Sequence, residues 1–132
     1  MGISKDVDTF KKENIQHMPF VDFITKKKVK IWEGITGPIH HSDKATFGYF
    51  TLEKGALAAE HQHPHEQWTH VISGELEFTL GGEKKRLTGG MAAYIPSNTP
   101  HSALAITECT VIDCFLPVRE DFIALEKNQL LQ

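Results

Sequence analysis

Cysteine, basic excess and long apolar runs are all scarce in this chain, and each scarcity removes a class of protein. Only Cys109 and Cys114 occur among 132 residues. They read as members of one strand, where ~3.3 Å per residue puts their Cα atoms beyond disulfide reach and on opposite sides. A disulfide scaffold is therefore excluded, and two free thiols suit a reducing cytoplasm. Fourteen Lys plus Arg against seventeen Asp plus Glu leave a net charge of −3 with neutral histidines. No basic stripe follows a phosphate backbone, so nucleic acid is not expected as a partner. The basic run Lys26-Lys27-Lys28 reads as a solvated strand edge or turn. No apolar stretch approaches the ~20 residues that span a bilayer. Met1 to Asp6 has no apolar core of a signal peptide, and Asp6 stands where myristoylation would want Ser or Thr. The expectation is a cytoplasmic protein with no membrane partner.

What is present is patterned as one domain over residues 1–132, with 1–20 as an N-terminal extension. A chain this long buries roughly two-thirds of its unfolded surface and folds without staples. Residues 4–16 could form a short helix capped by Ser4 or Asp8, although its apolar spacing is weak. From about residue 21 the chain reads as strands broken by Gly and Pro clusters. Val29 and Ile31 alternate with lysines, Thr46–Leu52 is rich in β-formers, and Leu76, Phe78 and Leu80 alternate with polar residues. Gly81-Gly82 has the positive-φ tolerance of a hairpin turn. Leu104–Leu116 reads as the last long strand. After Pro117, residues 119–131 close with a helix carrying Phe122, Ile123 and Leu125 inward. Short strands at this spacing indicate an all-β sandwich or barrel.

The chemistry is concentrated in histidine. Four of eight histidines fall within residues 61–70. His61 and His63, at i and i+2, point to one side of an extended segment. His101 supplies a third imidazole from elsewhere in the fold, and neutral imidazole is the commonest side-chain metal ligand. His65 reads as a loop residue or as support for the site, with a fourth-ligand role as its alternative. Trp68 and His70 lie on the strand face opposite Gln67, and His17, His40 and His41 default to the surface.

Gly55, His61, His63, Gln67 and Gly74 resemble, in spacing, the first motif of the cupin superfamily, over residues 55–74. Gly90, Pro96, Asn98 and His101 resemble the second, over 90–101. The resemblance implies an all-β double-stranded β-helix, the jelly-roll barrel. It also implies one divalent transition metal on His61, His63, Gln67 and His101. The family's usual Glu is Gln67 here, and its usual Gly is Asn98, which tolerates left-handed turns. Similar bacterial cupins with a His-Xaa-His-Pro-His-Glu-Gln run use the Gln as ligand. Strand parity also turns Gln67 inward and Glu66 outward, with Glu66 as the alternative ligand. Three imidazoles and an amide leave the ion its full charge, which favours an anionic substrate. Mixed N and O donors suit Mn, Fe, Co, Ni or Zn.

Asp113 interrupts an apolar strand, and an unpaired buried carboxylate is expensive, so it needs a partner or a job. One reading pairs it with Arg119 to close the barrel; the other makes it a general base facing the metal. The Asp113-Xaa-Phe115-Xaa-Pro117-Xaa-Arg119-Glu120-Asp121-Phe122 stretch, with Gly81 to Lys85, resembles the small pectin-degradation cupins. That resemblance implies conversion of 4,5-unsaturated uronates to linear 5-keto-4-deoxyuronates, with Asp113, Phe115 and Arg119 in the site and a small anionic sugar as partner. Tyr94 would pack on the sugar ring or in the core. The rivals are another metal enzyme (an oxygenase or an isomerase), a non-catalytic sugar-acid binder and a purely structural cupin. A homodimer is implied by the same family.

Overall fold

Period-2 alternation in the sequence becomes two antiparallel sheets that share one core. The computed structural model describes residues 19–130. The helix expected over 4–16, with its caps Ser4 and Asp8, and His17 lie outside the described residues. Eleven strands follow: β1 (Val29–Trp32), β2 (Ile35–Gly37), β3 (Ile39–His41), β4 (Thr46–Leu52), β5 (Leu57–His61), β6 (Glu66–Ser73), β7 (Leu76–Leu80), β8 (Glu83–Leu87), β9 (Ala92–Ile95), β10 (His101–Ala105) and β11 (Cys109–Leu116). A single helix, α1 (Glu120–Leu130), ends the described chain. The larger sheet runs β1-β2-β4-β11-β6-β9, with β3 also on β4, and the smaller runs β5-β10-β7-β8. This is the expected jelly roll.

The inner faces follow the pattern. On β6, Gln67, Thr69 and Val71 are buried while Trp68, His70 and Ile72 face outward. On β7, Leu76 and Phe78 are buried and Leu80 partly so. Val71, Leu76 and Phe78 join Val29, Ile39 and Ile95 in the core, each contributing about 1.5–3 kcal/mol by leaving water. Leu80 pairs with Glu83, and Gly81 and Gly82 have φ of 55° and 86°, as a two-residue hairpin requires.

The expected strand over 104–116 is two strands. A turn at residues 106–108 divides β10 from β11 and carries the chain from the small sheet to the large one. Glu75 anchors that turn: its carbonyl accepts from the Ile106 N–H at 2.9 Å, and its N–H donates to Thr107 Oγ1 at 3.0 Å. The strands on either side both line the core, so apolar residues flank the polar Thr107-Glu108 pair closely and hydrophobic patterning alone hides the break. Cys109 and Cys114 share β11 and are free thiols.

α1 buries Phe122 and Ile123 as expected, with Leu125 half-buried against the core, but it also buries Glu126. Its far end is tied to β1, where Gln129 Oε1 accepts from Lys30 N–H at 2.8 Å and Gln129 Nε2 donates to Lys30 C=O at 2.9 Å. Among the described residues no helix is long and apolar enough to cross a membrane.

Candidate metal centre and pocket

Sheet register and two loops bring the three histidines together. His61 ends β5 and pairs with His101 at the start of β10. His63 sits in the loop after β5, and that loop is laced to the one before β10. Asn98 donates its N–H to the His63 carbonyl at 2.8 Å, and Ser97 Oγ donates to the Pro64 carbonyl at 2.5 Å. Asn98 makes this possible by adopting a φ of 59°. The ligand atoms of His61, His63 and His101 all lie within 4.8 Å of one another.

Each imidazole is aimed by a main-chain carbonyl. His61 Nδ1 bonds Ala59 O at 2.7 Å, His63 Nδ1 bonds His65 O at 2.9 Å, and His101 Nδ1 bonds Thr99 O at 2.8 Å. A carbonyl only accepts, so each Nδ1 carries the proton and each Nε2 keeps its lone pair for an ion. His65 thus contributes its backbone. These three carbonyls have no signature in the sequence.

Gln67 completes the cluster from β6. Its Oε1 is 3.0 Å from His63 Nε2, and its Nε2 donates to Thr69 Oγ1 at 2.9 Å. Two acceptors facing at that distance repel unless a cation or a proton lies between them. A proton is disfavoured: burial, then the Arg119 charge and the competing protonation of neighbouring His101, hold His63 down at about 4. Burial likewise lowers His101, whose Nε2 is enclosed without a hydrogen-bond partner. Orphaned lone pairs on neutral donors fit a divalent metal ion. Glu66 points the other way and accepts from the Tyr94 hydroxyl at 3.0 Å on the outer face.

Beside the histidines a pocket runs into the barrel, with His61, Gln67, Thr69, His101, Asp113 and Arg119 as its polar lining. Asp113 pairs in register with Thr69 on β6 and Gly48 on β4. Its Oδ1 is sealed from solvent without a hydrogen-bond partner. Burial pushes its carboxyl up to about 6, against the opposing pull of Thr69, Arg119 and Gln67. Phe115, two residues on, turns its ring edge toward His63 at 5.9 Å between centroids.

Arg119 lies at the pocket but its ion pair is not with Asp113. It forks onto Asp121, with Nε donating to Oδ1 at 3.2 Å and Nη2 to Oδ2 at 2.7 Å. Burial works against the Asp121 charge, yet these bonds hold its carboxyl below the usual range. The guanidinium also lies over Phe122 at 3.7 Å and Phe115 at 4.8 Å. Helix entry explains the switch of partner: Arg119 is the residue before α1, and Asp121 sits in its first turn.

Other expectations need correcting. Tyr94 neither packs in the core nor reaches the pocket; it is exposed, paired with Trp68 across the outer face. His41 is buried, not on the surface, and His40 is half-buried and bonded to Lys26 Nζ at 3.0 Å. Lys26 is likewise half-buried. Trp32, whose ring is 5.3 Å from that of His61, lines the pocket with Phe50, Phe78 and Phe122. These four were not legible as pocket residues, because core aromatics and pocket aromatics look alike before the barrel closes around them.

Jelly roll, laced histidine loops and inward Gln67 together define a cupin. Residues 48–115 match the cupin domain family, and the chain belongs to it. Among solved structures, it is similar to an RmlC-like cupin from Shewanella frigidimarina, at 28% identity and TM-score 0.76 over 80% of this chain and 96% of that one. KdgF from Halomonas sp. is 33% identical at TM-score 0.72, covering 78% of this chain and 98% of that one. H2HPP isomerase of Bacillus subtilis is 43% identical over 53 residues, 39% of this chain. The chain spans 22% of the length of that curated relative.

Proposed function

We propose that this cupin is a metal-dependent enzyme that opens the ring of 4,5-unsaturated uronates to give 5-keto-4-deoxyuronates. The observation that carries the reading is an all-neutral donor set in one pocket with an arginine and a half-buried carboxylate whose Oδ1 is sealed from solvent. The likeness to KdgF of Halomonas sp. and to small pectin-degradation cupins supports the same substrate class. His61, His63, Gln67 and His101 would hold one divalent ion among Mn, Fe, Co, Ni and Zn, which supplies Lewis acidity toward the sugar oxygens.

The chain's own residues do the rest. Asp113, with its carboxyl at about 6, is about tenfold more ionised than protonated at pH 7. It accepts the anomeric hydroxyl proton as the C1–ring-oxygen bond breaks, a task that suits a base poised near ambient pH. C1 becomes the aldehyde, the ring oxygen leaves as the C5 enolate, and return of a proton to C4 gives the 5-keto product. Asp121 occupies the Nε–Nη2 edge of Arg119, which leaves the Nη1 donors for the substrate carboxylate. Phe115 forms a wall against the ring.

A second reading rests on the apolar part of the pocket, where Trp32, Phe50, Phe78 and Phe122 meet. It favours an isomerase or another metal enzyme acting on an anion with an apolar body, as the similarity to H2HPP isomerase also suggests. Ultraviolet absorbance separates the two: the proposed enzyme accelerates the loss of the unsaturated uronate signal. A rate equal to the spontaneous one sinks the leading function, and tight uronate binding without product would make the protein a sugar-acid binder.

The proposal extends to assembly and location. Trp68, Ile72, Tyr94 and Phe47 are exposed on the larger sheet, an apolar face suited to a second copy of the chain. Sedimentation as a homodimer is the expected result. Two free thiols suit the cytoplasm.

A further inference from the structure

Behind the pocket lies a buried polar chain that ring opening does not use. Thr46, His41 and Glu126 are all buried, at 0%, 4% and 2% exposure. Thr46 opens β4 and pairs in register with His41 on β3 and Phe115 on β11. Its Oγ1 accepts the Arg119 main-chain N–H at 2.9 Å and meets His41 Nδ1 at 2.9 Å. On the other side of the ring, His41 Nε2 is 3.3 Å from Glu126 Oε1, a close polar contact without the alignment of a hydrogen bond. Glu126 Oε2 is 4.0 Å from Lys26 Nζ, which in turn bonds His40 Nδ1.

The chain ends at one point of consequence. Arg119 precedes α1 and accepts the N–H groups of Phe122 and Ile123 through its carbonyl, both at 3.1 Å. Its own N–H would be an orphan there without Thr46. One hydroxyl therefore fixes the backbone from which the guanidinium reaches into the pocket. Glu126, in the second turn of α1, meets His41 on β3, the strand that pairs with β4 at Thr46. A carboxylate is costly to bury, and removing one partner of a buried pair leaves the other uncompensated.

We propose that Glu126, His41 and Thr46 form a positioning device that locks the Arg119 main chain at the barrel mouth, so that its guanidinium meets an anionic substrate group preorganised. The role in substrate binding rests on Arg119 as the carboxylate clamp of the proposed function; the locking itself does not.

The test uses the full chain loaded with Zn2+, which is diamagnetic, and reads the Arg119 Nε–H resonance by NMR. In the unaltered protein this signal is displaced by the Phe122 ring and exchanges slowly with water. In Thr46→Val the displacement collapses and exchange accelerates by about tenfold, as loss of one buried bond dictates. Thr46→Ser, which keeps the hydroxyl, retains both properties. Glu126→Gln, a second route to the same device should Thr46→Val not fold, gives an intermediate shift. An unchanged Arg119 signal in a folded Thr46→Val or Glu126→Gln protein overturns the proposal. In parallel, the KM for unsaturated uronate rises in Thr46→Val with kcat little altered. If the Arg119 signal moves but the unaltered protein shows no uronate turnover, the positioning role stands and the uronate reading fails.

Discussion

Replacing Asp113 by Asn should abolish the activity and at the same time make the protein more stable. The carboxyl sits at about 6 in the fold against 3.8 for a free Asp, because burial penalises its charge. That raised value means the native state binds the extra proton between the two pKa values. Stability from this group is therefore present below pH 3.8 and is lost as pH rises through 6. Two units at 1.36 kcal/mol each give a penalty of about 3 kcal/mol at neutral pH. Asn is nearly isosteric and carries no charge, so it avoids the penalty, less the cost of finding partners for its amide beside Thr69 and Gln67. A net gain of about 1–3 kcal/mol remains, a shift of several degrees in Tm for a domain of this size. Urea denaturation of the chelated protein, run in steps from pH 4 to pH 8, measures it. The stability gained by the Asp113→Asn variant over its parent should be small at pH 4, grow through pH 6 and then level off. A variant less stable than the parent at pH 8 would mean that Asp113 is held by a favourable ion pair, and the general-base argument would lose its footing.

Other perturbations follow from the same geometry. His61→Ala and His101→Ala should each empty the metal site in elemental analysis, since each removes one converging Nε2; full occupancy would refute the ligand assignment. Gln67→Glu cancels one unit of the ion's charge, so metal should bind more tightly while KM for a uronate rises by about tenfold or more; an unchanged KM contradicts the charge argument. Gly48→Ala should cost about 1–3 kcal/mol by overpacking, because a Cβ there would lie 2.2 Å from the Phe50 ring; denaturant midpoints test it.

The sequence carried the barrel and the metal-binding side chains because both follow from local rules. Alternation turns Gln67 and Thr69 inward whatever the partner strand, and the i, i+2 spacing keeps His61 and His63 close. Backbone contributions stayed hidden, since the carbonyls of Ala59, His65 and Thr99 that aim the imidazoles belong to no residue type. Long-range choices were equally unreadable. Arg119 turns to Asp121 because α1 begins between them. His41 is buried because a helix far along the chain sets Glu126 against it, a contact 85 positions apart. The break between β10 and β11 was masked for the opposite reason: both sides of it are apolar.

Proton NMR of 4,5-unsaturated uronate tests the central claim most directly, because it resolves the cyclic sugar from its linear product. The account predicts that the cyclic signals give way to 5-keto-4-deoxyuronate well above the spontaneous rate with the metal-loaded protein. The chelated protein and the Asp113→Asn variant should both fall back to the spontaneous rate. Equal rates in all three samples would contradict the account.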